Sequence, residues 1–255
     1  MASMGRLKSY LILLICSTLI FTGKVKSQYF DLDLFINDSL STGIQNLHGA
    51  LISGMNSMII QRIDSQSRFQ FNLSLSQNWI HISRDEQTGP LTEVMGFGFP
   101  MAQLEVGLPS DFHLIARGMV YRMGEQPKET VLFWGMGFRY AMLHQQQNSN
   151  IFAGVLLLYE ELNNINDFRI QSLMIKGYLG GGGSILNVYV TPGFTRSWYH
   201  VHPDQNAQIR FTRIKNFLKF NGGMIIKLNK RFQLLGNIVF GEFLTIGAGA
   251  NITIW

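Results

Sequence analysis

The sequence predicts an all-β protein: an antiparallel transmembrane β-barrel of about ten strands, in a range of roughly eight to twelve, with a short N-terminal α-helical cap or plug. Three observations carry this expectation. From Ser67 to the end, apolar and polar residues alternate with period two, the pattern of strands with two unlike faces. The connections between these runs are short at one end and longer at the other, the plan of outer-membrane barrels. Only 15% of residues are charged, low for a surface that meets water on all sides.

The elements follow in chain order. Arg6 and Lys8 precede an apolar run from Leu11 to Phe21, and Val25 and Ser27 supply small residues for a cut. The run is too short to span a bilayer as a helix and fits a signal peptide over residues 1–27, with an uncleaved anchor as the alternative. Its removal takes away Arg6, Lys8, Lys24 and Lys26 and lowers the formal net charge from +5 to +1, so the basic balance does not argue for nucleic acid. Cys16, the only cysteine, leaves with it, and no disulfide, thiolate nucleophile or cysteine metal site is expected in the mature chain. No later stretch is apolar for long enough to form a transmembrane helix, which leaves a closed barrel as the one way to span.

Residues 28–64 form the helical segment. Phe35, Leu40, Ile44, Leu47, Leu51, Met55, Met58 and Ile59 advance by three to five, while Gly43, Gly49 and Gly54 permit close packing. A cap over one barrel mouth is the expectation, and a plug inside the lumen is the alternative. Residues 65–255 form the barrel. Its strands are expected at 68–83, 100–108, 112–122, 130–143, 151–161, 168–179, 184–199, 215–228, 232–240 and 243–255. Three-residue turns at 109–111 and 229–231 keep phase, and "GGGG" at 180–183 reads as another turn. Longer loops lie at 84–99, 123–129 and 200–214, with 144–150 as the exception to the pattern. A periplasmic C-terminus places these turns in the periplasm and the loops outside.

The two faces differ in kind. In 130–143, Leu132, Trp134, Met136, Phe138, Tyr140 and Met142 oppose Gly135, Gly137, Arg139 and Ala141. Large apolar residues opposite small or polar ones suit a wall with lipid outside. Trp79, Tyr121, Tyr159, Tyr178, Trp198 and Tyr199 suit interfacial girdles. The terminal Trp255 resembles the membrane-insertion signal of such barrels, although Ile252 and Ile254 share a face that excludes it.

The stretches "GFGFPMAQLEVGLPSDFHLIARGM" (96–119) and "VLFWGMGFRYAM" (131–142) resemble an uncharacterised family of bacterial outer-membrane barrels, mostly from the Bacteroidota. Pro100, Gln103, Gly107, Arg117, Gly135 and Gly137 carry the resemblance, which covers about residues 35–160. It implies a helical stretch before a proline–glutamine strand, a hairpin and a glycine-rich strand, with no activity to carry over. More broadly, the helix-then-barrel order is similar to that of barrels that import hydrophobic compounds.

Chemistry is sparse. "HVHPD" holds the best metal-like cluster, His200, His202 and Asp204, but lacks a fourth ligand. There is no G-x-S-x-G elbow, and "GGGGS" lacks the lysine of a phosphate loop. No enzyme activity and no cofactor are expected. Strand phase instead turns Gln103, Glu105, Arg117, Arg139, Asn187, Tyr189, Lys219, Lys227, Gln233 and Asn237, together with Thr195 and Asn221, toward the lumen. They form either a network that fills a narrow barrel, the expected case, or a polar path for a solute. The reading is a bacterial outer-membrane barrel that passes or binds a small solute, a hydrophobic one included. The alternative is an interaction barrel acting through loops 84–99 and 200–214, and a lipid-modifying enzyme is the least supported. Expected partners are outer-membrane lipid, the barrel-insertion machinery and a small solute, and not nucleic acid.

Overall fold

Alternation along the chain becomes a closed ring of ten antiparallel strands. The computed structural model describes residues 40–60, 69–109, 111–123, 129–143, 150–165, 168–201 and 211–254. The strands are β1 (Gln70–His81), β2 (Gly96–Gly107), β3 (Phe112–Met123), β4 (Glu129–Leu143) and β5 (Ile151–Ile165). They continue as β6 (Phe168–Gly182), β7 (Leu186–Val201), β8 (Phe211–Lys227), β9 (Phe232–Phe240) and β10 (Thr245–Thr253). Each strand pairs with the next, and β1 pairs with β10 from Asn72 opposite Thr253 to Ile80 opposite Thr245. Closure leaves no unpaired edge, as a barrel in lipid requires.

The short turns hold register as expected: Gly107 faces His113 across the β2–β3 turn, and Lys227 faces Gln233 across β8–β9. The glycine run behaves otherwise. Strand β6 continues through Gly182, and the turn falls at 183–185. Gly180 faces the lumen, where an added Cβ would run into the Phe152 ring and Val188 O. The residue is small to seat an aromatic ring and not to bend the chain. Strand β2 also starts earlier than expected, at Gly96, which sets Pro100 inside the strand and not at its first position. The β2–β3 ladder begins only at Ala102, so proline's missing N–H removes no ladder bond from that pair. At the loop end, β5 and β6 run to Ile165 and from Phe168, tighter than the expected gap.

One face of the wall points out and is apolar. Leu104, Leu132, Met136, Ile175, Leu218 and Phe240 are all well exposed. The other face points in, and its side chains are buried. Inside lies helix α1 (Leu40–Met55), followed by an extended stretch to Ile60. Every residue from 47 to 60 is buried. This corrects the expected cap: the segment is a plug. An apolar stripe shows that a helix docks, but not whether its other sides stay wet. Here they do not, because Gly49 and Gly54 let the helix approach Phe243 and, on the wall, Ile80 and Phe99. Ile44, Leu47, Leu51, Ile52 and Met55 join Phe99 and Phe133 of the wall in one apolar cluster.

Candidate functional site: the plug and its seat

The seat is built from the C-terminal turn of α1 downward. A helix leaves its last carbonyls without intrahelical donors, and these carry the negative end of the helix dipole. The barrel wall supplies the donors. Arg117 of β3 donates to Met55 O at 2.9 Å and to Ser57 O at 2.5 Å. Lys176 of β6 donates to Asn56 O at 3.0 Å, and Asn221 of β8 donates to the same oxygen at 3.2 Å. The Asn56 side chain is held in turn by Thr195, which donates to Oδ1 at 2.9 Å. Below, Ser57 donates to Asn237 at 2.9 Å, Gln103 to Ile59 O at 3.1 Å, and Tyr189 to Ile60 O at 3.2 Å.

Charge balance explains the arrangement. Arg117 is ion-paired with Glu160 at 2.6 Å, both fully buried. Glu105 is paired with Arg139 and, at 2.8 Å, with His113. Lys176 and Lys219 are buried as well. Among the described residues the inward basic side chains Arg117, Arg139, Lys176 and Lys219 outnumber the inward carboxylates Glu105 and Glu160. The plug carbonyls supply negative potential to Arg117 and Lys176, which makes the helix end part of the electrostatic filling.

At the loop end, the plug meets other elements. Ser53 donates to Phe243 O at 3.0 Å and accepts from Thr245 at 2.9 Å. His48 lies 2.7 Å from Ser197 Oγ and stacks against Tyr199. Asn46 donates to Glu86 O and Thr88 Oγ1, both at 3.1 Å, in the β1–β2 loop. A Cβ at Gly43 would meet Gly89 Cα at 2.7 Å. One end of the plug thus grips a loop while the other is gripped by the wall.

Of the lumen residues expected from phase, Gln103, Glu105, Arg117, Arg139, Asn187, Tyr189, Lys219, Gln233 and Asn237 are buried, and Lys227 is half-buried at the turn end. Arg117 finds its carboxylate on Glu160. Sequence reasoning missed Glu160, Lys176 and His113, and also the polar plug residues His48, Ser53, Asn56 and Ser57. The surplus of inward cations was the signal that something else had to fill the lumen. His200 contacts Thr212 Oγ1 at 2.8 Å. His202, Asp204, Trp255 and the signal segment lie outside the described residues. Among the described residues no group of histidine, cysteine and carboxylate side chains is placed to hold a metal.

No protein-family model and no curated protein matches the sequence. Among solved structures, the chain is similar to the translocator domain of the autotransporter NalP from Neisseria meningitidis. The two are 7% identical with a TM-score of 0.42, over 86% of this chain and 98% of that one. It is also similar to the attachment invasion locus protein Ail of Yersinia pestis, at 8% identity and a TM-score of 0.35, over 74% and 99%. The N-terminal β-barrel domain of Pseudomonas aeruginosa OprF matches at 11% identity and a TM-score of 0.34, over 74% and 100%. The likeness is one of fold.

Proposed function

We propose that this chain is a bacterial outer-membrane β-barrel, closed at rest by its own N-terminal segment, that admits or binds a small solute when the segment withdraws. The observation that carries the reading is the complete burial of residues 47–60 inside the ring. Polar anchoring at Met55, Asn56 and Ser57 supports a releasable plug, since water can replace such bonds, and the apolar cluster around α1 sets the cost of withdrawal. The apolar outer wall supports a place in lipid. In this reading the loops face outward, the turns face the periplasm, and Trp255 is read by the insertion machinery. The Bacteroidota-type family named above stays part of the proposal. Catalysis is not, because the two inward carboxylates, Glu105 and Glu160, are each paired with an arginine.

A second reading has one observation behind it. Asn46 and Gly43 tie the plug to the loop holding Thr88 and Gly89. A filled barrel acting through its outer loops would use that tie to present a fixed surface to a partner. Two measurements test the readings, the first the barrel common to both and the second the choice between them. Unheated protein from the outer-membrane fraction should run at a different gel position from heated protein, the behaviour of a folded barrel. In planar bilayers the full chain should be silent, and a variant lacking residues 43–57 should conduct. A folded deletion variant that stays silent ends the transport reading and leaves the interaction reading.

A further inference from the structure

Three neighbouring strands change character on their outer face as they near the loop end. Along β7 the outward residues Val188, Val190 and Phe194 are apolar and exposed, and Arg196 and Trp198 follow. Along β6, taken in the same direction, Leu179, Ile175 and Leu173 give way to Gln171 and Arg169. Along β5, Leu157 is followed by Tyr159 and Glu161. A step from apolar to aromatic and charged side chains marks the level at which a lipid-facing wall passes from hydrocarbon to headgroups.

Part of this patch is held together by its own bonds. Glu161 accepts from Arg169 at 2.8 Å, from Tyr159 at 2.9 Å and from Gln171 at 3.0 Å. Gln171 also donates to Tyr159 Oη at 2.8 Å. The Glu161 side chain is 6% exposed as a result, while that of Arg169 stays 49% exposed. Arg196 stands apart from this network. It is exposed on the wall, and its ladder partners Leu173 and Asn216 carry no charge. No carboxylate among the described residues pairs with it. Its guanidinium lies over the Trp198 ring, 5.5 Å from the centroid, and so leans toward the loop end and away from the hydrocarbon.

Two arginines against one carboxylate leave the patch positive. We propose that this face of β5, β6 and β7 binds one net-anionic lipid headgroup, with its phosphate at Arg196 and the rest of the headgroup lying over Trp198 toward Gln171 and Arg169. Arginine matches phosphate in charge and in hydrogen-bond geometry. A choline ammonium in the same place would meet Arg169 and is disfavoured. The exposed Val190 and Phe194 just below Arg196 fit acyl chains, which a free phosphate lacks. The proposal takes from the function proposed above only the apolar wall in lipid; neither the plug nor conductance enters it.

The test is native mass spectrometry of the full chain, released from detergent micelles that hold equal amounts of phosphatidylglycerol and phosphatidylcholine. The unaltered chain should retain a single phosphatidylglycerol in preference to phosphatidylcholine by about fivefold, the scale set by one arginine near an anionic surface. R196Q should lose the preference while keeping its heat-modifiable gel shift, and R196K should keep part of it. R84Q removes an exposed cation of the β1–β2 loop and should leave the preference as it was. Equal retention of the two lipids by the unaltered chain overturns the proposal, as does an undiminished preference in R196Q. Glycerol 3-phosphate in large excess should not displace the lipid; displacement assigns Arg196 to a soluble anion and also overturns it. An unaltered chain with no heat-modifiable shift refutes the barrel in lipid itself, a failure distinct from loss of the lipid preference.

Discussion

One guanidinium holds much of the plug. Arg117 pairs with Glu160 and also donates to Met55 O and Ser57 O, all without access to water. Replacing Arg117 with glutamine leaves Glu160 buried without its cation and two plug carbonyls without donors. The expected cost is about 3–5 kcal/mol, the range for breaking a buried pair from one side. A lowered urea midpoint in detergent checks it, and a second change, Glu160→Gln, should recover part of the loss. An unchanged midpoint would mean that water already reaches the pair. At this scale the sequence was informative where phase was clean. Arg117 sits in β3 among His113, Ile115 and Met119 on alternate positions, so its inward direction could be read. Glu160 sits in "VLLLYEEL", where both phases are apolar and two glutamates adjoin. There the period-two signal vanishes. The two part company: Glu160 enters the lumen, while Glu161 stays on the other face and accepts from Tyr159 at 2.9 Å and Arg169 at 2.8 Å.

Helix α1 is the element on which the proposed function turns. Its apolar spacing was legible, but not its length: the expected segment spans residues 28–64, and the helix runs only from Leu40 to Met55. Nor was its location, because helical periodicity records which side is buried first and not what surrounds the rest. The glycines at 43, 49 and 54 were the nearest thing to a signal, each serving a close approach to a different neighbour. The Ser53 and Thr245 hydroxyls offer a way to test the seat directly. They lie 2.9 Å apart, each one bond beyond its Cβ, which suits the short Cβ spacing of a disulfide. In the S53C/T245C variant, oxidised protein should stay closed in planar bilayers under voltage or mild urea that opens the parent. Adding reductant should restore opening. If oxidised and reduced forms gate alike, α1 does not move during opening.

For the molecule as a whole, the separation of an apolar outside from a charged inside was the best-read feature, since it follows directly from period two. It makes a sharp contrast between neighbours. Leu218 is 83% exposed on the outer face of β8, and Lys219 beside it is buried within. Placing arginine at 218 should cost about 2–4 kcal/mol in a bilayer if this position lies near the midplane. Urea titration in liposomes measures it, and the same change in detergent micelles should cost less. A negligible cost in liposomes would mean that this face does not meet lipid. The turn at 183–185 was placed less well from sequence, because a run of glycines marks room for a side chain as readily as it marks a bend.

The seam between β1 and β10 sets the order of assembly. It joins residues as far apart along the chain as Asn72 and Thr253, and loop closure over such a span is slow. The ring thus stays open until its tenth strand arrives. Since α1 stands just ahead of β1 in the sequence, a seam that zips around it brings Arg117 and Lys176 against the carbonyls of Met55 and Asn56 as the ring closes. Closure of the wall and seating of the plug are then coupled through the same buried contacts.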